Sequence, residues 1–400
     1  MTDLRRGWGT YTPPLSARER FNRIMHFQSV DCISHLEFGY WTELKEDWMR
    51  QGNLPPQLRR SDGSIPDDAV ETFFGVEQME HVDARLGALP LRPVEVLERT
   101  ETTITYRDGI GVLRQDKASG TETIPHFLQF PIRDRESWLA FRDEFLDPAR
   151  PERAYRADEI DALERRSRAS SSPVVTDLGS YIGRIRDWTG FERLALLSMD
   201  DPDLVEEMVA HQADLALSQM PAILERGFID AAGGWEDIAF NSGPILNPRF
   251  FSERIMPHMS RVTRLLRQHG IDIIWTDCDG LILKLIPLWL EIGVNCMFPL
   301  EVHPGNDPVA LREQYGRSLL IRGGFDKYAL WEGREAVLSE LKRIEPAVAE
   351  GGFIPHVDHR CPALVSFDTY CYYIWEKCHM LGWPESTIKS FAFYERWKAL

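Results

Sequence analysis

The stretch Ile271-Asp272-Ile273-Ile274-Trp275-Thr276-Asp277-Cys278-Asp279-Gly280 decides the fold. Its apolar run, residues 271–275, stops at a cluster of acids and a thiol. Near the C-terminus, Gly352-Phe353-Ile354-Pro355-His356-Val357-Asp358-His359-Arg360-Cys361 repeats the pattern. Short apolar runs bounded in this way read as buried strands of a parallel sheet. Carboxylates, thiols and imidazoles placed just past such strands fall on one rim of an α/β sheet or barrel, where these folds keep their chemistry.

Outward from these two stretches the same rhythm continues. Apolar runs at 174–176, 228–232, 294–298 and 319–321 alternate with helical stretches such as 203–226, 282–292 and 334–349. Strand–helix alternation at this spacing means βαβ units. Carried over most of the chain, it predicts an α/β fold, a (β/α)8 TIM barrel formed as one domain by residues 1–400. No GxGxxG follows a strand and no GxxxxGK[ST] occurs, which disfavours a doubly wound nucleotide-binding sheet.

The N-terminal part is less regular. Residues 1–15 are polar and Pro-rich and predict a loose arm. Ser16 suits the N-cap of a helix over 17–27, with Glu19 completing a capping box. Residues 35–41 predict a short aromatic strand, and 49–82 read as mostly loop. Residues 95–130 alternate and carry Asp108-Gly109, a hairpin signal, so a small antiparallel insertion is expected there.

The bulk composition excludes several function classes. A hydrophobic share of 43% and a charged share of 27% suit a soluble globular protein. The net charge of -16 argues against nucleic acid as a partner, because phosphate binding needs a basic face. No apolar run reaches the length of a membrane span, and no apolar core follows the first charges, so a cytoplasmic protein without signal peptide is expected. The six cysteines, Cys32, Cys278, Cys296, Cys361, Cys371 and Cys378, contain no CxxC and suit a reducing compartment.

The strand ends supply the candidate chemistry. Asp277 and Asp279 share a face if the strand continues, and Cys278 points the other way. Two such carboxylates can bind a metal, carry a proton or accept hydrogen bonds. The competing role for Asp279 is to cap a helix over 281–292, an interaction worth about 1 kcal/mol. Glu301 ends the 294–298 strand, and Arg322-Gly323-Gly324-Phe325-Asp326-Lys327 ends the next. There the glycines allow close backbone approach and Arg322 or Lys327 can grip an anion, while Asp326 can cap a helix. His356, Asp358 and His359 cluster at the last strand end, where an imidazole beside carboxylates is a zinc ligand or general base and Cys361 a soft ligand. Upstream, Trp235-Glu236-Asp237 follows the 228–232 strand, and Asp177 and Tyr181 follow the 174–176 strand. Trp235 would give a ring-shaped ligand a flat wall.

These residues resemble the uroporphyrinogen decarboxylase superfamily, and within it the branch related to corrinoid methyltransferases. The matching pieces are Ala17-Arg18-Glu19-Arg20-Phe21 with Val30-Asp31, Gly234-Trp235-Glu236-Asp237, Asp277-Cys278-Asp279-Gly280, and the run from Ile286 to Asn295. Pro299-Leu300-Glu301-Val302, Gly323-Gly324-Phe325-Asp326-Lys327 and the run from Gly351 to His359 complete the set in the family's order. Two departures stand out. Where uroporphyrinogen decarboxylases carry Arg-Gln-Ala-Gly-Arg, this chain reads His35-Leu36-Glu37-Phe38-Gly39-Tyr40-Trp41, which is poor in the cations a tetrapyrrole would need. Where the zinc-dependent methyltransferases carry His-x-Cys, it reads Asp277-Cys278-Asp279, a harder, oxygen-rich ending.

The resemblance implies a methyltransferase of a corrinoid-dependent system, demethylating a small substrate such as a methoxylated aromatic. It implies zinc as Lewis acid on Asp277, Glu301 and His359, a set that extends to Asp279 and Cys361. Asp277, Asp279, His359 and Glu236 are the expected catalytic residues. Tyr40, Trp41, Trp235, Asp237, Tyr181, Arg322 and Asp326 are the expected substrate contacts. The chain has no Asp-x-His-x-x-Gly cobalamin motif, so the corrinoid would arrive on a partner protein, and a homodimer is the other assembly expected. The first alternative is a carboxy-lyase on a smaller carboxylate, with the Asp277/Asp279 pair anchoring N–H donors and His359 supplying the proton. The second is a binding barrel without catalysis.

Overall fold

The apolar runs become strands of one seven-stranded parallel sheet in the computed structural model, which describes residues 8, 11, 14–118 and 125–400. In chain order the strands are β1 (Glu80–Val82), β2 (Val174–Gly179), β3 (Ala231–Trp235), β4 (Ile273–Asp277), β5 (Cys296–Phe298), β6 (Leu320–Phe325) and β7 (Phe353–Val357). Each pairs with its sequence neighbour, so the sheet curls in one direction. Every residue of β6 and β7 is buried, as strands covered on both faces must be. Helices cover the outside, with Pro202–Gln219 packed on Met256–Gln268 and Arg334–Glu350 on Phe367–Met380.

The expected eight-stranded ring is not fully closed by a backbone ladder. Residues 35–41 were expected as a strand, yet only Tyr40 forms a bridge, to Cys361. The segment runs between the two sheet edges as a strap. The Glu77 N–H donates to the His35 carbonyl at 2.8 Å on the β1 side, and the Cys361 N–H donates to the Gly39 carbonyl at 2.9 Å on the other. Between them Glu37 reaches back to Lys377, an ion pair out of solvent, and accepts the Val357 N–H at 3.4 Å. Side chains thus do part of the work of a ladder.

Strand β1 is absent from the sequence reading for a plain reason. It is three residues long, Glu-His-Val, and carries no apolar run. The insertion appears as expected, with antiparallel strands Glu95–Arg99, Thr103–Arg107, Leu113–Lys117 and His126–Gln129. The Asp108 carboxylate closes its middle turn by accepting the Ile110 and Val112 N–H groups.

Ser16 and Glu19 form the capping box of helix Ala17–Met25. Arg20 of that helix holds Asp31 with two bonds of 2.9 Å and also meets Glu77, tying the helix to the strap and β1. Most of the expected arm, residues 1–7, 9, 10, 12 and 13, lies outside the described residues. Of the rest, the Trp8 ring sits against Gly382, and the Tyr11 hydroxyl donates to the Ser29 carbonyl.

After β4 the helix is shorter than the expected 282–292, covering only Ile286–Glu291. The intervening backbone is bonded elsewhere, the Leu281 N–H to the Phe240 carbonyl and the Ile282 N–H to the Asn306 side chain. Asp279 therefore has no helix to cap. No helix among the described residues is long and apolar enough to cross a membrane.

Candidate functional site

Asp277 ends β4 opposite Trp235 of β3 and Phe298 of β5, so its carboxyl sits at the inner rim of the sheet. Burial pushes it up to about 7, helped by Asp279 and Asp237 and opposed by the charges of His359 and Arg322. Cys278 turns the opposite way, where its buried sulfur accepts the Ile238 N–H at 3.3 Å. The strand ends at Asp277, and Asp279 reaches across the mouth to His359, with 3.2 Å between Oδ2 and Nε2. Burial pulls the His359 imidazole down, but the hydrogen bond and charge of Asp279 outweigh it, and the net shift is upward. Asp279→Asn is therefore expected to lower the His359 titration, which an imidazole proton NMR titration would show; an unchanged His359 would contradict the pairing.

Glu301 continues the same wall. Its Oε2 accepts the Gly280 N–H at 2.8 Å, and its other oxygen pairs with the Lys327 ammonium. Behind it the fully buried Asp358 accepts the Val302 N–H at 2.7 Å and the Lys327 N–H at 3.0 Å. One carboxyl thus fixes the loops after β5 and β6 that present Glu301 and Lys327. Burial pushes Asp358 up to about 7 against the nearby Lys327 charge.

Two cavities meet this wall, and a third adjoins the outer of them. An inner one of about 240 Å³ is lined by His81, Asp177, Arg184, Trp275, Asp277 and Phe298 among others. An outer one of about 530 Å³ is lined by Arg186, Asp237, Phe240, Asp279 and Glu301. A vestibule of about 750 Å³, walled by Phe127, Phe130, Phe191 and Phe240, shares Arg186, Phe240 and Ile245 with the outer cavity. Phe127 belongs to the antiparallel insertion, which so forms one side of the approach.

The fold brings Asp277, Asp279, Glu301 and His359 to one mouth, with the Trp41 ring 6.4 Å from His359. Trp235 lines the inner cavity, its ring under Arg186, and Asp237 lines the outer one, paired with Arg186 at 2.9 Å. Other expected residues are occupied elsewhere. The buried Glu236 carboxyl accepts the N–H groups of Tyr181, Ile182 and Gly183 and holds the loop after β2. Burial pushes it up to about 7 against the pull of those three donors. The Tyr181 hydroxyl donates to the Leu178 carbonyl, and the Tyr40 hydroxyl meets Tyr370, both out of solvent. The Asp326 carboxylate accepts the Tyr328 N–H in its own turn.

The expected zinc ligands do not fit a metal ion. Among the described residues no three His, Cys, Asp or Glu side chains could hold one. Asp279 and His359 are joined to each other, and Glu301 is taken by Lys327 and Gly280. Cys361 is buried beneath the strap. Metal analysis of the purified chain is therefore expected to find no stoichiometric zinc, and one zinc per chain would overturn this.

The sequence reading missed the His81–Asp177 pair, 3.3 Å apart on β1 and β2, and the part played by Arg184 and Trp275 in the inner cavity. Asp177 at a strand end was the available signal, and its partner lay on the unrecognised β1.

No family model and no curated protein matches this chain. A solved structure does. A methyltransferase from Methanosarcina mazei superposes with a TM-score of 0.55 at 12% identity, covering 92% of this chain and 98% of that one. The likeness is one of fold, a barrel-like α/β architecture along nearly the whole length of both chains.

Proposed function

We propose that the chain is a methyltransferase that demethylates a small substrate, a methoxylated aromatic, and that Asp277 is its general acid. The observation that carries this is the raised Asp277 carboxyl on the wall of the inner cavity, pushed up to about 7 so that a substantial fraction keeps its proton at neutral pH. As the methyl group leaves, the ether oxygen keeps the bonding electron pair and takes the Asp277 proton, departing as a phenol rather than a phenolate. His359, held by Asp279, faces the same mouth and lowers the cost of the carboxylate that remains. The rings of Trp235, Trp275 and Phe298 give an aromatic substrate its walls.

The methyl acceptor in this reading is a reduced corrinoid carried by a separate protein, supplying an electron pair to the methyl carbon. The surface such a partner would meet includes the exposed Tyr328 and Trp331, which follow Lys327 in the chain. The fold shared with a methyltransferase supports the reaction class. Incubation with the reduced corrinoid partner and a panel of methoxyarenes should release the corresponding phenol, measured by chromatography. Failure across the panel, with the partner competent in its own assay, would remove the proposal.

A carboxy-lyase is the second reading, favoured by the same raised Asp277 carboxyl, which could deliver its proton to a carbanion. Carbon dioxide without phenol would select it.

A further inference from the structure

Four arginines are buried in the described chain, and in three of them the guanidinium has hydrogen-bond or ion-pair partners, although the Arg312 Nε has none. Arg20 holds Asp31 and Glu77. Arg153 donates to the carbonyls of Asp147, Arg85 and Phe145, and Arg312 to those of Gly316, Leu319, Gly351 and Gly352. Arg322, on β6, is different. Among the described residues its guanidinium has no hydrogen-bond or ion-pair partner, and its Nε is wholly out of solvent. It lies instead over the rings of Trp275 and Phe298, 4.7 Å and 4.4 Å from their centroids. Its charge is felt by Asp277, but no anion is within hydrogen-bond or ion-pair distance, and a buried cation left so is costly unless an anion joins it.

Arg322 stands next to the inner cavity rather than on its wall: the two rings that flank it line the cavity, and Asp277 does too. Gly233 makes the arrangement possible, since a Cβ there would stand 2.4 Å from the Trp275 indole. Arg184 also lines the cavity and has no acidic partner among the described residues. Of the two acids on the wall, Asp177 is paired with His81, and burial raises Asp277 to about 7, so that it is only partly ionised at neutral pH. His356, whose ring lies 5.6 Å from that of Phe298, adds a second buried nitrogen without a partner. The cavity's roughly 240 Å³ exceeds the about 150 Å³ that accepts a benzene ring, which leaves space for a substituent.

We infer that the inner cavity is a site for a small aromatic carboxylate, whose ring lies between Trp235, Trp275 and Phe298 and whose carboxylate is met by Arg322, with Arg184 assisting. This rests on the proposed function and names its substrate class, a methoxybenzoate rather than a neutral methoxyarene. A planar guanidinium stacked on aromatic faces keeps its fork of donors free for a carboxylate.

Calorimetric binding of benzoate and of its neutral isostere benzamide tests the site without any turnover. The unaltered chain should bind benzoate at least about 10-fold more tightly, the scale of a charge-assisted pair. Arg322→Gln should abolish that preference while benzamide binding persists. Equal binding of the two probes, binding of neither, or a preference retained in Arg322→Gln would overturn the inference. Should Arg322→Gln fail to fold, Arg322→Lys decides, because loss of the planar fork should still cut the preference to about 3-fold or less. A chain that prefers benzoate through Arg322 yet releases no phenol would keep this inference and sink the methyl-transfer reading.

Discussion

Asp277→Asn is expected to lower turnover by about 10²–10⁴-fold, the usual worth of a positioned general acid. The amide matches the carboxyl in shape but has no acidic proton to give. Substrate binding and thermal stability should change little, so the loss should fall on kcat. The pH profile carries the sharper signature. Burial and the neighbouring Asp279 and Asp237 raise the Asp277 pKa to about 7, so the acid form persists up to that pH and is lost above it. Activity should hold below about 7 and fall about tenfold per pH unit above it. His359 titrates beside it with a raised pKa and interacts with it, so the measured midpoint belongs to the pair. Asp277→Asn should remove the alkaline limb from whatever activity is left. A steep limb at the same pH in the variant would assign the proton to another group.

Gly323→Ala should have the largest effect on stability, a loss of at least about 4 kcal/mol or outright failure to fold. The residue has φ +97°, and a Cβ there would stand 1.6 Å from the Pro299 carbonyl oxygen, an impossible contact. The crowding is functional. Strand β6 passes so close to the turn after β5 that the Gly324 N–H donates to the same carbonyl at 3.3 Å, and Lys327 then meets Glu301 three residues later. Gly316→Ala is the matching control. It also has positive φ, 54°, but nothing lies within 4 Å of its added Cβ, so only a backbone cost of about 1–2 kcal/mol is expected. Urea midpoints of the two variants give the comparison directly.

The barrel rhythm was legible because its strands are buried on both faces, and double burial writes a run of apolar residues into the chain. The same logic hid β1, whose edge position lets it read Glu-His-Val. The strap over 35–41 looked like a strand because it is aromatic and buried. What it lacks is a backbone partner, and pairing leaves no mark in a single sequence. The mouth was legible as residue types at strand ends, which correctly gathered Asp277, Asp279, Glu301 and His359. Their use was not. Asp279 was open to a capping role, and only the course of residues 281–285 shows that no helix begins there. Glu236 stood beside the right residues in the chain yet faces three loop N–H groups. Arg322 read as one cation of a Gly-rich turn. Its isolation depends on what three other strands place around it, and that is a property of packing alone.

The strap has a mechanical consequence. A ring of paired strands resists deformation everywhere alike, whereas this one is joined at a single place by a carboxylate, an ammonium and a few scattered amides. Strain applied to the molecule will concentrate there. Phe38, carried on the strap, packs edge-on against Phe298 at 4.6 Å and His359 at 5.7 Å. The weakest joint of the wall thus also lies against the Asp279–His359 pair, and any loosening of it is felt first at the mouth.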